Sequence, residues 1–139
     1  MLVSIHSMLE SRWFWLLTRI VLAVVFVSSG LAKLLDFEGG IAEMTRAGLA
    51  PAALFNWLTI ITLLGGSILL LLDRAVWLAA AALATFLLLT IVIVHHFWSL
   101  PGQQAISSMH VALEHVSLIG GLFAAAIVSR LRGLLHRRH

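Results

Sequence analysis

Four long apolar stretches alternate with short polar ones along this chain. They run from Trp13 to Leu35, from Ala52 to Leu72, from Ala75 to Trp98 and from Met109 to Arg130. A helix needs about 20 mainly apolar residues to cross roughly 30 Å of hydrocarbon, and each stretch meets that length. Strands of a membrane barrel would be half as long and would alternate in polarity. The pattern therefore predicts an all-α fold: an integral membrane four-helix bundle, with residues 1–139 forming a single transmembrane domain.

The connections refine this picture. Asp73-Arg74 leaves room only for a tight turn, so the second and third spans form an antiparallel hairpin. Ser99 to Ser108 holds Pro101-Gly102 and is expected to start as a turn. Between Asp36 and Pro51, the residues Phe37, Ile41, Met44 and Ala47-Gly48-Leu49 recur at near-helical spacing among Glu38, Glu43 and Arg46. This predicts a short helix in the membrane interface between the first and second spans.

Composition supports a lipid environment. Hydrophobic residues make up 61% of the chain and charged residues 11%, too little charge to cover a water-exposed surface. The net charge of +3 would raise the question of nucleic acid in a water-soluble protein. Here the basic residues stand at segment ends and in the tail, so they read as topology, and the lipid bilayer is the expected partner, with no nucleic acid. Arg12, Arg74, Arg130, Arg132, Arg137 and Arg138 fall on one side, Lys33 and Arg46 on the other. This bias predicts cytoplasmic termini and a cytoplasmic Asp73-Arg74 turn, with the 36–51 and 99–108 connections facing outward. Trp13, Trp15, Trp57, Trp77 and Trp98 lie near segment ends, as interfacial anchors do. The first apolar run has no clear A-x-A cleavage site after it, so the first span reads as a retained anchor. With 0 cysteines, disulfides, thiolate metal sites and cysteine nucleophiles are excluded.

Ionisable groups in a bilayer are expensive, so each needs a reason. Arg19 stands about two turns into the first span, where it either snorkels to the interface or is buried against a partner. Lys33 lies about 21 Å further along the same helix, in the opposite leaflet, with Asp36 as its sequence-adjacent partner. The densest polar group is elsewhere. His95 and His96 end the third span, and His110, Glu114 and His115 open the fourth. The topology places these with Lys33, Glu38, Glu43, Gln103 and Gln104 on one side. His110 and Glu114 share a helix face. Glu114 and His115 are rotated apart by about 100°, and His95 and His96 diverge likewise.

Three readings of this group stand side by side. One is a metal site at His95, His96, His110 and Glu114, whose spacing matches no recognised motif. Another is a proton relay or quinone pocket built on a titrating histidine beside a carboxylate. The simplest is a hydrogen-bonded clamp tying helix ends together. No catalytic motif such as G-x-S-x-G or a P-loop is present. Separately, Ser117, Gly121, Ala125 and Ser129 recur every four residues, a small-residue stripe suited to close helix packing against this chain or a second protomer. Gly65-Gly66 and Ala79 to Ala82 are suited to the same use.

These residues carry a resemblance. Thr18-Arg19-Ile20, then Ser29-Gly30-Leu31-Ala32-Lys33-Leu34, resembles the signature of the DoxX family of small bacterial membrane proteins. The likeness continues through Asp36-Phe37-Glu38-Gly39, Met44…Gly48-Leu49-Ala50-Pro51, Leu64-Gly65-Gly66, His95-His96-Phe97-Trp98 and Ser117-Leu118-Ile119-Gly120-Gly121-Leu122. It implies four transmembrane helices in a bacterial cytoplasmic (inner) membrane. The family takes its name from a subunit accompanying quinol oxidation and thiosulfate–quinone oxidoreduction, and other members are linked with redox-stress complexes. Two positions depart from the pattern: Thr62 stands where many relatives carry Glu, and Glu114-His115 where many carry Lys-Asn. A site resting on that Glu or Lys is not carried over.

The resemblance thus implies an accessory component of quinone-dependent respiration or redox stress, not an enzyme by itself, with the cofactor left open, quinone being the candidate, and a membrane redox partner or a homo-oligomer as the protein partner. If part of an enzyme, it would be a subunit of a membrane oxidoreductase. Two alternatives stand beside it: a small homo-oligomeric transporter or channel with Arg19 and Glu114 lining a path, and a metal-dependent membrane enzyme at the His/Glu cluster.

Overall fold

The structure is a computed structural model that describes residues 2–138. Six α-helices follow one another: α1 (Leu2–Glu10), α2 (Arg12–Leu35), α3 (Phe37–Arg46), α4 (Ala52–Leu71), α5 (Val76–Ile93) and α6 (Gly102–His136). A single 3₁₀ turn, Phe97–Ser99, separates the last two. The helices numbered α2, α4, α5 and α6 belong to four segments long and apolar enough to cross a membrane. They pack in the order α2–α4–α5–α6, and α2 and α6 touch only lightly to close the ring.

Local sequence sets the element ends. The Ser11 hydroxyl accepts from the Trp13 N–H and starts α2. Asp36 serves two helices at once. Its own N–H donates to Ala32 O to finish α2, and its carboxylate accepts from the Gly39 N–H at 3.0 Å to start α3. A Cβ at Gly39 would fall 2.1 Å from Asp36 Oδ2, so a side chain there would make the capping carboxylate shift. The short helix expected between the first two spans is thus α3, and it buries Gly40 and Met44. The hairpin turn after α4 needs two residues in left-handed conformation, Asp73 (φ 55°) and Ala75 (φ 47°). Aspartate tolerates that conformation; alanine meets steric resistance.

Small residues make the helix crossings close. A Cβ at Gly30 would lie 2.7 Å from Leu64 Cδ2, and one at Gly66 would lie 2.8 Å from Leu83 Cγ. Ala79, Ala80 and Ala84 are buried beside Leu63, Leu70, Leu83, Leu87, Phe26 and Leu122 in a continuous core. Large apolar side chains cover the outside instead, among them Val21, Ile61, Val92 and Ile127, each at least 60% exposed. Lipid tails solvate such a surface, so association inside relies on close packing by small residues.

Four expectations need correction. First, α6 is 35 residues long and runs beyond 109–130 at both ends, taking in most of the connection expected over 99–108. It starts after the extended Pro101, where Gly102 turns the chain with a left-handed φ of 52°, and nothing in Gln103 to Ser108 stops helix propagation from there. Second, α5 ends at Ile93, so His95 and His96 lie in the turn and not on the helix; the His95 N–H closes back onto Thr90 O. Third, Trp15 is no interfacial anchor but is 7% exposed, while Trp13, Trp57, Trp77 and Trp98 are exposed as expected. Fourth, Lys33 pairs with Glu43 of α3 and not with Asp36, whose carboxylate is occupied by the cap. Ahead of α2 there is also a short helix, α1, which the apolar pattern did not predict.

Candidate functional site

Polar groups gather at both ends of the bundle, and the two ends are built differently. At the end bearing the Asp73-Arg74 turn, Trp15, Arg19, Ala23, Phe26 and Gly30 form the inward stripe of α2. Arg19 is 8% exposed, so it is buried and does not snorkel. Its Nη1 donates to Leu71 O at 2.6 Å and to Leu70 O at 3.4 Å, carbonyls of the last turn of α4, the second of which also accepts the Asp73 N–H. A cation there also meets the negative pole of that helix. The guanidinium lies 5.2 Å from the Trp15 ring centroid. Trp15 Nε1 in turn donates to Asp73 Oδ2 at 2.8 Å, and Ser129 Oγ donates to Asp73 Oδ1 at 2.7 Å. One carboxylate in a turn therefore joins α2 and α6. Sequence reading saw Asp73 only as a turn residue. The signal that identifies it is an acid at a left-handed hairpin position, facing a tryptophan on the Arg19 stripe.

The opposite end holds the histidines and splits into two groups. Lys33 is engaged by Glu43 on the α2–α3 side. His95 and His115 meet on the α5–α6 side, with ring centroids 5.4 Å apart at an interplanar angle of 77°. His115 Nδ1 is buried with no hydrogen-bond partner among the described residues. His96 turns away, as its adjacency to His95 requires, and shares a 2.6 Å hydrogen bond through Nδ1 with Ser99 Oγ. Phe97 and Trp98 pack edge to face beside it. His110 and Glu114 are exposed on the outer face of α6. No three His, Asp or Glu side chains gather closely enough to hold a metal among the described residues, so His95, His96, His110 and Glu114 do not form one ligand set. The predicted group falls into two separate clusters, Lys33 with Glu43 and His95 with His115.

The remaining predicted positions also have definite places. Of the small-residue stripe, Ser117 is exposed, Gly121 approaches Leu22, Ala125 is in the core and Ser129 holds Asp73. The stripe thus winds from the outside into the α2–α6 closure. Thr62 spends its hydroxyl on Leu58 O of its own helix. Sequence reading missed Asn56, which is fully buried in α4. Its Nδ2 lies 3.4 Å from Phe37 O, and its amide would lie 2.4–2.8 Å from a Cβ at Gly40. A lone amide in an apolar span was the available signal.

Four apolar spanning segments, an apolar exterior and polar clusters confined to the ends define a small multi-pass helical membrane protein. The chain belongs to the DoxX family, whose model, DoxX, matches residues 14–96. It is similar to the inner membrane protein YphA of Escherichia coli (strain K12), at 26% identity over 112 residues, covering 81% of this chain and 80% of that protein. No solved structure matches it.

Proposed function

We propose that this protein is an accessory subunit of the bacterial inner membrane that docks, by its histidine-bearing end, onto a redox complex linked to quinone-dependent respiration or redox stress. The supporting observation is where the polar groups lie. Leu63, Leu83, Leu87, Phe26 and Leu122 fill the interior, and the titratable side chains of the histidine end stand at its surface: His110 and Glu114 exposed, His95, His96 and His115 half-buried. Groups so placed are available to a neighbour in the membrane or to the head of a quinone, and serve no internal path. The family membership and the similarity to an inner membrane protein support the location.

The channel reading is less well supported. Arg19 is spent on helix-end carbonyls, and Glu114 points away from the bundle axis, so the two do not line one route. The accessory reading is tested by purifying the full chain from its native membrane in mild detergent. Co-purification of a redox partner or bound quinone, lost on His95→Ala with His115→Ala, is the expected result. A lone, quinone-free protein whose deletion leaves respiration and oxidant sensitivity unchanged would overturn it.

A further inference from the structure

A second polar feature lies at the other end of the bundle, away from the histidines. A groove of about 600 Å³ opens between the start of α5 and the last turns of α6, lined by Val76, Trp77, Ser129, Arg130, Gly133 and Arg137, with Ala75 and Ala126 at its edge. Arg130 and Arg137 are two helical turns apart on one face, about 10 Å along the axis. Gly133 stands between them and leaves the floor open: a Cβ there would meet nothing within 4 Å. Neither arginine is in an ion pair or side-chain hydrogen bond among the described residues, where the sole ion pair is Lys33–Glu43. The acid behind the groove, Asp73, has both oxygens occupied by Trp15 and Ser129. The amino end of α5, which has no side-chain cap, adds the positive pole of a helix.

We propose that this groove binds the phosphate of an anionic phospholipid. Two unpaired guanidiniums and a helix amino end favour a phosphate. The alanines and Val76 give the glycerol and upper acyl chains an apolar wall. Trp77, 69% exposed, has the amphipathic ring that settles at headgroup depth. Basic pockets between membrane helices recognise lipid headgroups by this combination. A soluble phosphate would use the arginines but gain nothing from the apolar wall, which is why the lipid is the assigned occupant.

The test uses the full chain in a neutral detergent, with bound lipid counted by native mass spectrometry. The probes are phosphatidylglycerol, phosphatidylcholine and inorganic phosphate. The expected result is at least tenfold tighter binding of phosphatidylglycerol than of phosphatidylcholine, with no displacement by inorganic phosphate at equal concentration. Arg130→Gln with Arg137→Gln should remove that preference. Gly133→Leu should remove it too, by filling the groove at a position with open space around it. Should the double variant fail to fold, the Gly133 variant decides. Equal binding of the two lipids, an unchanged preference in the Gly133 variant, or displacement by inorganic phosphate would overturn the assignment.

Discussion

Arg19 shows how much one side chain can do when water is absent. Its guanidinium satisfies the Leu71 carbonyl, which no backbone N–H of the turn reaches, and in a bilayer an unsatisfied backbone group costs several kcal/mol. Arg19→Ala should therefore lower stability by about 3 kcal/mol, read as a shifted midpoint in denaturing-detergent unfolding. Arg19→Lys should recover part of this, since an ammonium keeps the charge but not the planar fork. Trp15→Phe keeps the ring and removes only the donor to Asp73, so its cost should be about 0.6–1 kcal/mol. Equal losses in Arg19→Ala and Trp15→Phe would contradict this ranking. The sequence supplied both readings of Arg19 without deciding between them. What decides is which carbonyls face it, and that depends on the end of a helix fifty residues away. Trp15 was misplaced for a related reason: nearness to a span end says nothing about which face a side chain takes, whereas its i, i+4 relation to Arg19 does.

Among the elements, α3 is placed by a few contacts of exacting geometry. Asp36 starts it, Gly39 makes room for that cap, and Gly40 lets it lie directly on Asn56. Gly40→Ala should push α3 off α4, because the new methyl meets an amide that is itself locked in the core. The expected cost is about 2 kcal/mol, in the range of overpacked sites. The chain has 0 cysteines, so a Met44→Cys reporter reads this directly. It should be slow to label in the native background and markedly faster with Gly40→Ala; equal rates would show that α3 stays docked. The existence of α3 was legible from the spacing of Phe37, Ile41 and Met44. Its docking partner was not, because one amide in an apolar span gives no direction. The true length of α6 was obscured by Pro101-Gly102, which reads as a loop although the helix starts at its glycine. The separation of Lys33 from the histidines was equally hidden, since a shared membrane level does not fix a shared side.

For the whole molecule, charge and length together give a direct expectation. At 35 residues α6 is about 52 Å long, longer than the roughly 30 Å of hydrocarbon. Reporter fusions should place both termini in the cytoplasm, as should labelling of a cysteine introduced at Arg138; periplasmic signal at either end would overturn the orientation. The four spans and their order were legible because bilayer thickness sets a single length for all of them. The closure of the ring was not, because it depends on a few polar contacts between distant parts of the chain. That closure has a consequence for how the protein is made. Asp73 receives one donor from the first span and its second from Ser129, near the end of the last. Along the chain Asp73 precedes Ser129, so until the final helix is made its carboxylate has only the Trp15 donor to draw on. Only the arrival of the final helix completes it. A chain that stops short of Ser129 never acquires that second donor.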